Sequence, residues 1–568
     1  MKSGRLLLEM LKLYNVEYVF GLPGETTLGW YDAWKKFDGI EHIMVRDERN
    51  AVFMADGYAK VSGKPGICEG PSVGAPHMLP GVVEAYSSGI PIIVITSDIP
   101  LNGEKHNMLT GADQTSMFKA FVKDTFSIHH ASDIPFIVRR AFRLATSGRP
   151  GPVHIRLPQD VLKEDVDVKD LYAQPEFSVY PGKRSRAGVC DVEAASKILR
   201  NSQKGVMICG QGALLSGAWQ EVEKTAEKYG LAVLTTINGK GIIDESSMFS
   251  GGIAGARGAN SIANTLVKNA DMIFFVGSST DSAGTGGWKF PEKSAGIPMI
   301  QLDVSEAELG NNYPVAVSML GDVKATLQDL LALDEDYTAC ERDHLKELAS
   351  AKAKYEKSIM ENAGKSNVPC DPARLSKIIE QTKPKDSIIV VDPGISAVYP
   401  AGFIKSAGGR RDFVCNFAQG SLGYATAAAI GAAKASPGST IIHLTGDGSF
   451  GFCAGEYETL ARTGCNVKII LINNHSFGWI RVSNDMAFEN EPFATEFSDM
   501  DYVKTVEGFG IPAKRLCEED DAAAALQNLF AQEGPAFLEV ICEPEDKFVP
   551  PVPGWAEKAR KKGMKNYY

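Results

Sequence analysis

Short apolar segments recur along the whole chain, and each of them ends in glycine, proline, aspartate or asparagine. They are rich in isoleucine and valine and apolar almost throughout, as in PIIVITSD, DMIFFVGSS, SIIVVDPG and VKIILINN. Strands of parallel sheets have this composition because both of their faces are buried, and their connections need helical crossovers. The pattern therefore predicts an α/β chain of several doubly wound parallel sheets.

Two polar, irregular stretches divide the chain. Residues 163–188 carry two prolines, and residues 334–370 begin with a highly charged helical pattern. A chain of 568 residues is too long for one ordinary core, so we expect several domains. Division at these stretches gives three domains, at 1–165, 185–335 and 365–550. The basic, proline-bounded segment 551–568 is interpreted either as a lid over a site or as a solvated tail.

The composition excludes several classes of protein. The net charge of −11 argues against nucleic acid or an anionic membrane as the main partner. No apolar stretch approaches the roughly 18 residues that span a bilayer. The first apolar run contains Glu9 and Lys12, which favours an amphipathic helix over a signal peptide. The ten cysteines are scattered without metal-binding spacing, so a reducing, cytoplasmic location is expected.

One glycine-rich loop matches the spacing of a dinucleotide-binding fingerprint. Gly446, Gly448 and Gly451 form G-x-G-x-x-G. That fingerprint opens a domain and is followed about 20 residues later by an acidic residue, but this loop lies late in its block and nothing acidic stands near position 468. Asp447 lies between the first two glycines, where a bare pyrophosphate would meet a carboxylate. The loop therefore suits a diphosphate bridged by a metal ion better than a dinucleotide.

A second polar pair supports the metal interpretation. Asn474, in the pair 473–474, follows Asp447 by 27 positions, which leaves room for one βα unit. Both groups would then emerge at the carboxyl ends of neighbouring parallel strands, where ligands of open α/β sheets bind. Carboxylate and amide oxygens suit Mg²⁺, and Ser449 opens a helix whose N-terminus favours phosphate. A plain glycine turn followed by an asparagine turn remains the alternative.

The segment GDGSFGFCAGEYETLARTGCNVKIILINN resembles the signature of thiamine-diphosphate-dependent enzymes, in which G-D-G is followed by N-N. The stretch from VFGLPGETTLGW to ADGYAKVSGKPG resembles the N-terminal domain of the acetolactate synthase and pyruvate oxidase group. GSLGYATAAAIGAA and the middle block, from TTINGKGIIDE to IQLDVSEAELGNNYPV, resemble the same group. The resemblance covers nearly the whole chain and implies pyrimidine-binding, central and diphosphate-binding domains.

The resemblance assigns roles to individual residues. It implies that Mg²⁺ is bound by Asp447, Asn474 and the backbone carbonyl of Ser476. Glu48 would hydrogen-bond the aminopyrimidine ring of thiamine diphosphate bound by a second subunit, as the catalytic residue of the family. The site would therefore form between subunits, with a homodimer as the minimum and a homotetramer expected.

Further cofactor contacts follow from the same resemblance. Leu422 would bend the cofactor, where the acetolactate synthase group often has methionine, and Gly420 would offer its carbonyl to the aminopyrimidine. Ser396 lies where relatives place a diphosphate contact. The remaining expected cofactor contacts are the loop residues Gly446, Gly448 and Ser449.

Four positions near the expected active site depart from the family's pattern or match it. Residues 47–49 read D-E-R where the synthases usually read H-E-Q. Glu25 replaces a usually small residue, and it is interpreted as an acid/base group, a selector for polar substrates or a salt-bridged loop residue. His77 replaces an asparagine and would either reach the site or pack. Gln114 matches a glutamine that approaches substrate in relatives.

The central domain leaves the question of FAD open. Lys240 in NGKG matches the flavin-containing group, but SSTDSAGTGG lacks the R-F-D-D-R pattern that accompanies flavin in the synthases. Residues 255–264 would still line a nucleotide site, so FAD remains an alternative.

The sequence therefore predicts a lyase or carboligase that makes or breaks a carbon–carbon bond next to the carbonyl of a small 2-oxo acid, similar to acetolactate synthase. Alternatives are a 2-hydroxyacyl-CoA or oxalyl-CoA lyase, a sulfoacetaldehyde-type acetyltransferase, a cyclic-dione hydrolase and a flavin-dependent 2-oxo acid oxidase. A catalytically silent cofactor-binding subunit is the alternative from another class, and the joint presence of Glu48, Asp447 and Asn474 argues against it.

Overall fold

The structure is a computed structural model that describes most of the chain. The described residues are 1–168, 171–258, 261–333, 335–339, 342–488, 493–544 and 550–564. The chain folds into two compact units. The first unit contains Met1–Lys183, Ala418–Ile441 and Gly451–Val467, and the second unit contains Arg184–Phe417, Ile442–Phe450 and Lys468–Tyr568.

The first sheet contains six parallel strands. They are Tyr18–Gly21 (β1), Glu41–Met44 (β2), Gly66–Gly70 (β3), Ile92–Asp98 (β4), Thr125–Ser127 (β5) and Val153–Pro158 (β6). The order across the sheet is β2-β1-β3-β4-β6-β5. Its helices are Ser3–Leu13 (α1), Leu28–Trp34 (α2), Glu48–Ser62 (α3), Ala75–Ser88 (α4), Gln114–Lys119 (α5) and Ile134–Thr146 (α6). Every residue of β4 is buried, which requires cover on both faces of the sheet.

The second sheet repeats this architecture. Its strands are Gly205–Cys209 (β7), Ala232–Thr235 (β8), Ser250–Ile253 (β9), Met272–Val276 (β10), Met299–Asp303 (β11) and Val317–Leu320 (β12), in the order β12-β11-β10-β7-β8-β9. Its helices are Val189–Asn201 (α7), Gln211–Leu215 (α8), Trp219–Tyr229 (α9), Ile262–Asn269 (α10) and Val323–Leu333 (α11). Phe274 and Val276 point into one core and Ile273 and Phe275 into another, so both faces of β10 are packed.

The third sheet has the order β14-β13-β15-β16-β18-β17. Its strands are Ser387–Val391 (β13), Phe413–Val414 (β14), Thr440–Gly446 (β15), Val467–Asn473 (β16), Ala513–Arg515 (β17) and Ala536–Ile541 (β18). The remaining helices are Asp343–Asn362 (α12), Pro372–Thr382 (α13), Ile395–Phe403 (α14), Tyr424–Ala435 (α15), Asp447–Cys453 (α16), Glu456–Thr463 (α17), Gly478–Phe488 (α18), Tyr502–Glu507 (α19), Ala522–Phe530 (α20) and Ala556–Lys561 (α21). Three parallel sheets with flanking helices confirm the predicted α/β class.

Helix α15 packs closely along α3 within the first unit, and two glycines permit the approach. A Cβ atom on Gly57 would lie 2.3 Å from the carbonyl oxygen of Ala428, and one on Gly431 would lie 2.0 Å from that of Met54. Both obstacles are backbone atoms, so no side-chain rotation could relieve them. The two helices therefore meet at a distance that only glycine allows at these positions.

None of the described helices has the length and apolar composition needed to cross a membrane. The longest described helix, α12, is amphipathic, and each of its turns contains at least one charged residue.

Candidate active site

The predicted glycine loop is a direct junction in the structure: Gly446 is the last residue of β15 and Asp447 is the first residue of α16. This residue is 4% exposed. One carboxylate oxygen, Oδ1, accepts a hydrogen bond of 2.8 Å from the Gly448 N–H, and the other, Oδ2, accepts one of 3.2 Å from the Ser476 N–H. The carboxylate is thus held in place by backbone donors at the end of a buried strand.

The asparagine pair lies at the end of the neighbouring strand, β16. The Asn473 side-chain amide donates to Glu539 at 2.8 Å. Asn474 is 8% exposed, and its Oδ1 accepts a hydrogen bond of 3.5 Å from the Ser476 hydroxyl. The sequence-predicted metal ligands are therefore brought together at the carboxyl ends of β15 and β16.

The chemistry of this cluster fits a divalent cation. A carboxylate, an amide oxygen and a backbone carbonyl are the hard oxygen donors that Mg²⁺ prefers. Burial raises the pKa of Asp447 to about 7, although backbone N–H groups oppose the shift. No lysine or arginine among the described residues forms an ion pair with Asp447. A bound cation would supply the counter-charge that this buried carboxylate lacks.

The remaining residues of the predicted diphosphate site also belong to the second unit. A Cβ atom on Gly448 would lie 2.8 Å from the ring of Phe477, whereas one on Gly446 would meet nothing closer than 3.9 Å. Ser449 is buried. The Ser396 hydroxyl, in the first turn of α14, donates to the Asp392 carbonyl at 3.0 Å and keeps its acceptor capacity.

Glu48 lies in the first unit, where it is the first residue of α3. The helix begins there because the Asp47 carboxylate accepts a hydrogen bond of 2.8 Å from the Arg49 N–H. Glu48 is 6% exposed. A Cβ atom on Gly74 would lie 2.4 Å from Glu48 Oε1, and one on Gly70 would lie 3.5 Å from Glu48 Cγ. The side chain therefore occupies a notch that two glycines leave open.

His77 contacts this same carboxyl group. It lies in the first turn of α4, and its Nδ1 is 3.2 Å from Glu48 Oε2. The His77 side chain is 62% exposed, in contrast to Glu48. One oxygen or nitrogen atom from each of Asp47, Glu48 and His77 lies within 4.8 Å of the other two. The histidine predicted either to reach the site or to pack is thus placed on the candidate catalytic carboxyl group.

Gln114 and Glu25 occupy different environments in the first unit. Gln114 is fully buried; its amide donates to the Ser97 carbonyl at 3.1 Å and its oxygen accepts from the Thr96 hydroxyl. It borders a cavity of about 460 Å³ that Arg156 also lines. Glu25 is exposed in the turn after β1, and no described residue forms an ion pair with it. The salt-bridged alternative for Glu25 therefore has no partner in the described part of the chain.

Gly420 and Leu422 directly precede α15, in the first unit. Gly420 has a φ of +75°, which favours glycine, and both residues are half-buried. In the second unit, Lys240 is buried and forms an ion pair with Glu245.

An arginine that the sequence motifs did not single out, Arg257, packs against aromatic rings of the second unit. The Arg257 guanidinium is 4.5 Å from the ring centroid of Trp479 and 5.8 Å from that of Phe417. Trp555, from the segment 551–568, packs on Trp479 with centroids 5.1 Å apart. Burial lowers the Arg257 pKa, and no described residue hydrogen-bonds or ion-pairs with it.

Arg257 belongs to the segment 255–264 that was predicted to line a nucleotide site; residues 259 and 260 of that segment lie outside the described residues. No sequence motif marks this arginine as functional. Only its aromatic neighbours in the folded structure set it apart from other arginines. The C-terminal segment also contacts α18 through Lys558, whose Nζ donates to the Met486 carbonyl.

The sequence matches three models of one protein family. They are described as thiamine pyrophosphate enzyme, N-terminal TPP binding domain, over residues 1–117; central domain, over residues 192–330; and C-terminal TPP binding domain, over residues 392–540. The first match includes Glu48, and the third includes Asp447 and Asn474.

Named relatives align along nearly the entire chain. The acetolactate synthase large subunit of Lactococcus lactis is 31% identical over 97% of this chain and 94% of its own length. The probable acetolactate synthase large subunit of Methanocaldococcus jannaschii is 29% identical with the same coverage. The acetolactate synthase isozyme 1 large subunit of Escherichia coli is 27% identical over 97% of this chain and 96% of its own length. The chain therefore belongs to the thiamine pyrophosphate enzyme family.

Proposed function

We propose that this protein is a thiamine-diphosphate-dependent carboligase of the acetolactate synthase type, which joins small 2-oxo acids through a new carbon–carbon bond. The observation that carries the proposal is the convergence of Asp447, Asn474 and Ser476 at the ends of two neighbouring strands, in a chain that matches the family along its length. The names of the aligned relatives support the reaction type.

We further propose that Mg²⁺ is held by the Asp447 carboxylate, the Asn474 side-chain oxygen and the Ser476 carbonyl. The buried carboxylate without a described basic partner supports this assignment. Backbone N–H groups at Gly446 and Ser449 would bind the diphosphate. The Gly448 N–H and the Ser396 hydroxyl would contact it only by exchanging their present acceptors, Asp447 Oδ1 and the Asp392 carbonyl, for phosphate oxygens. These groups fix the anionic end of the cofactor by charge and by the helix N-terminus.

When bound, thiamine diphosphate supplies a thiazolium carbon that adds to a carbonyl carbon and then stabilises the electron pair left there. Glu48 would hydrogen-bond the aminopyrimidine ring, and the notch at Gly70 and Gly74 would hold its carboxyl group in one position. Gly420 would accept from the same ring through its carbonyl, and Leu422 would support the bent form of the cofactor.

The proposal extends to the substrate and the assembly. A 2-oxo acid is an anion, and the Arg257 guanidinium offers a cation with its hydrogen-bonding edge unused among the described residues. Glu25 and Gln114 remain candidate residues for substrate selection. Glu48 would serve a cofactor bound by the partner subunit in a homodimer or homotetramer, in the cytoplasm, and the central domain would hold FAD or another nucleotide.

Exchange of the cofactor C2 proton with deuterium tests the catalytic assignment. The measurement uses the full-length protein loaded with thiamine diphosphate and Mg²⁺, by acid quench and NMR. We expect Glu48→Gln to slow exchange by about 10²–10⁴-fold, the range of general acid–base contributions. Asp47→Asn is the matched control, because asparagine keeps the helix cap and removes a charge one residue away. Equal rates in wild type and Glu48→Gln would refute the role of Glu48.

Product analysis tests the reaction. Pyruvate alone, or pyruvate with a second 2-oxo acid, should give a product whose mass equals the two acids minus carbon dioxide. A yellow protein with flavin absorbance would show that the central domain carries FAD. Turnover only of acyl-CoA thioesters or cyclic diones would contradict the proposed carboligase.

A further inference from the structure

The His77 imidazole has no role in the function proposed above, yet it is the only described side chain that hydrogen-bonds or ion-pairs with Glu48. Its Nδ1 lies 3.2 Å from Glu48 Oε2, while Glu48 Oε1 faces Gly74. The exposed fractions of the two side chains differ sharply, at 7% for Glu48 and 62% for His77. In the single chain, the imidazole therefore lies between a buried carboxyl group and solvent.

The other charged groups around this pair are engaged elsewhere. The Asp47 carboxylate caps α3 and lies 3.8 Å from the Arg49 guanidinium. Arg49 also donates to the Phe452 carbonyl. The buried Glu69 accepts from Tyr31 at 2.5 Å and lies 3.0 Å from His42 Nε2. None of these described groups hydrogen-bonds with Glu48, although one Asp47 oxygen lies within 4.8 Å of it.

We propose that His77 is a positioning and proton-relay residue, which carries protons between solvent and the Glu48 carboxyl group. The inference rests on the proposed function, in which Glu48 hydrogen-bonds the aminopyrimidine ring and can share its proton with a ring nitrogen. His77 acts through Glu48 and does not itself contact the reacting atoms.

The two ring nitrogens of His77 provide the path. When Glu48 is ionised, the Nδ1–H donates to Oε2, and Nε2 of this largely exposed side chain accepts a proton from a hydronium ion in solvent. Protonation at Nε2 releases the Nδ1 proton to Oε2, which leaves the neutral imidazole with its proton on Nε2. The reverse sequence returns the proton to water, so charge and protons balance without any further reactant.

The first experiment measures the imidazole in the cofactor-free protein. Full-length protein labelled with ¹⁵N-histidine should give a His77 resonance pair that disappears in His77→Gln. We expect Glu48→Gln to move this pair, because the chemical shifts report which nitrogen carries the proton and what it bonds. His130→Gln, at an exposed histidine outside the site, is the matched control and should leave the pair in place. An unchanged pair in Glu48→Gln would overturn the contact itself.

The second experiment measures C2 deuterium exchange in the loaded protein. We expect His77→Gln to slow exchange at least about tenfold, the lower part of the range for acid–base groups, with thiamine diphosphate affinity unchanged. Added free imidazole should restore most of the rate in His77→Gln and none in Glu48→Gln. A histidine that only orients Glu48 would not be replaced by imidazole in solution.

The outcomes separate this inference from the proposed function. Wild-type exchange in His77→Gln, or slow exchange that imidazole does not restore, overturns the relay while leaving Glu48 catalytic. Wild-type exchange in Glu48→Gln overturns the catalytic assignment on which the relay depends. Slow exchange in both variants, with rescue only of His77→Gln, supports the relay.

Discussion

A methyl group placed on Gly74 should displace the Glu48 carboxyl group without unfolding the chain. Gly74 has a φ of −82° and a ψ of −18°, which alanine adopts freely, so Gly74→Ala introduces no backbone strain. Its Cβ would lie 2.4 Å from Glu48 Oε1 and 2.6 Å from Cδ, whereas ordinary contacts begin at 3.4 Å. The carboxyl group must therefore move by about 1 Å or more.

A misplacement of about 1 Å can cost roughly 10²-fold in rate, so we expect C2 exchange in Gly74→Ala to fall by about that factor. Overpacking should also lower the free energy of unfolding by about 1–3 kcal/mol, which a urea melt followed by circular dichroism would detect. Thiamine diphosphate should still bind, because the diphosphate and metal ligands assigned above are elsewhere in the chain.

Gly70→Ala is the matched control for this perturbation. It adds the same methyl group to the same notch, but its Cβ would be 3.5 Å from Glu48 Cγ and 3.0 Å from the flexible Met78 Sδ. We expect its exchange rate to stay within a few-fold of wild type. If folded Gly74→Ala exchanges as fast as Gly70→Ala, the position of the Glu48 carboxyl group does not set the rate and the reasoning fails.

Three further predictions concern the metal site, the helix contact and the substrate. Mg²⁺ should bind the ionised form of Asp447, whose pKa is raised to about 7. The Mg²⁺ affinity measured by calorimetry should therefore fall from pH 8 to pH 6, and equal affinities would contradict this. Gly57→Ala and Gly431→Ala should each lower the thermal unfolding midpoint, because the clash with backbone atoms outweighs a helix-propensity gain of about 1 kcal/mol. Gly438→Ala is the control and should not lower it, because a Cβ atom there would have no neighbouring atom within 4 Å. Arg257→Leu should raise KM for pyruvate about tenfold or more with C2 exchange unchanged, and an unchanged KM would exclude Arg257 from substrate binding.

The fold class and the proximity of Asp447 to the asparagine pair follow from local features of the sequence. Apolar runs closed by turn residues predict parallel strands because both faces of such strands are buried. The spacing of Asp447 and Asn474 fits one βα unit, and consecutive units of this kind place their strand ends at one edge of the sheet. The structure accordingly brings Asp447 and Ser476 within hydrogen-bond distance.

The surroundings of each candidate residue could not be predicted in the same way. The sequence does not give the order of the strands across each sheet. The contact of His77 with Glu48, and the space beside Gly74, depend on the segment after β3 meeting the start of α3. Arg257 and Trp555 are almost 300 positions apart and meet around one tryptophan. Periodicity and spacing describe neighbours along the chain, so they carry no information about such encounters.

The sequence by itself determined the α/β class, the family and the identities of the residues that carry the proposed chemistry, because strand composition and motif spacing are local properties of the chain. Only the tertiary structure decided that Glu48 is buried in a glycine notch beneath an exposed histidine and that Asp447 has no described basic partner. Burial, distance and counter-charge arise from segments that are remote in sequence, and those quantities decide what a carboxyl group does.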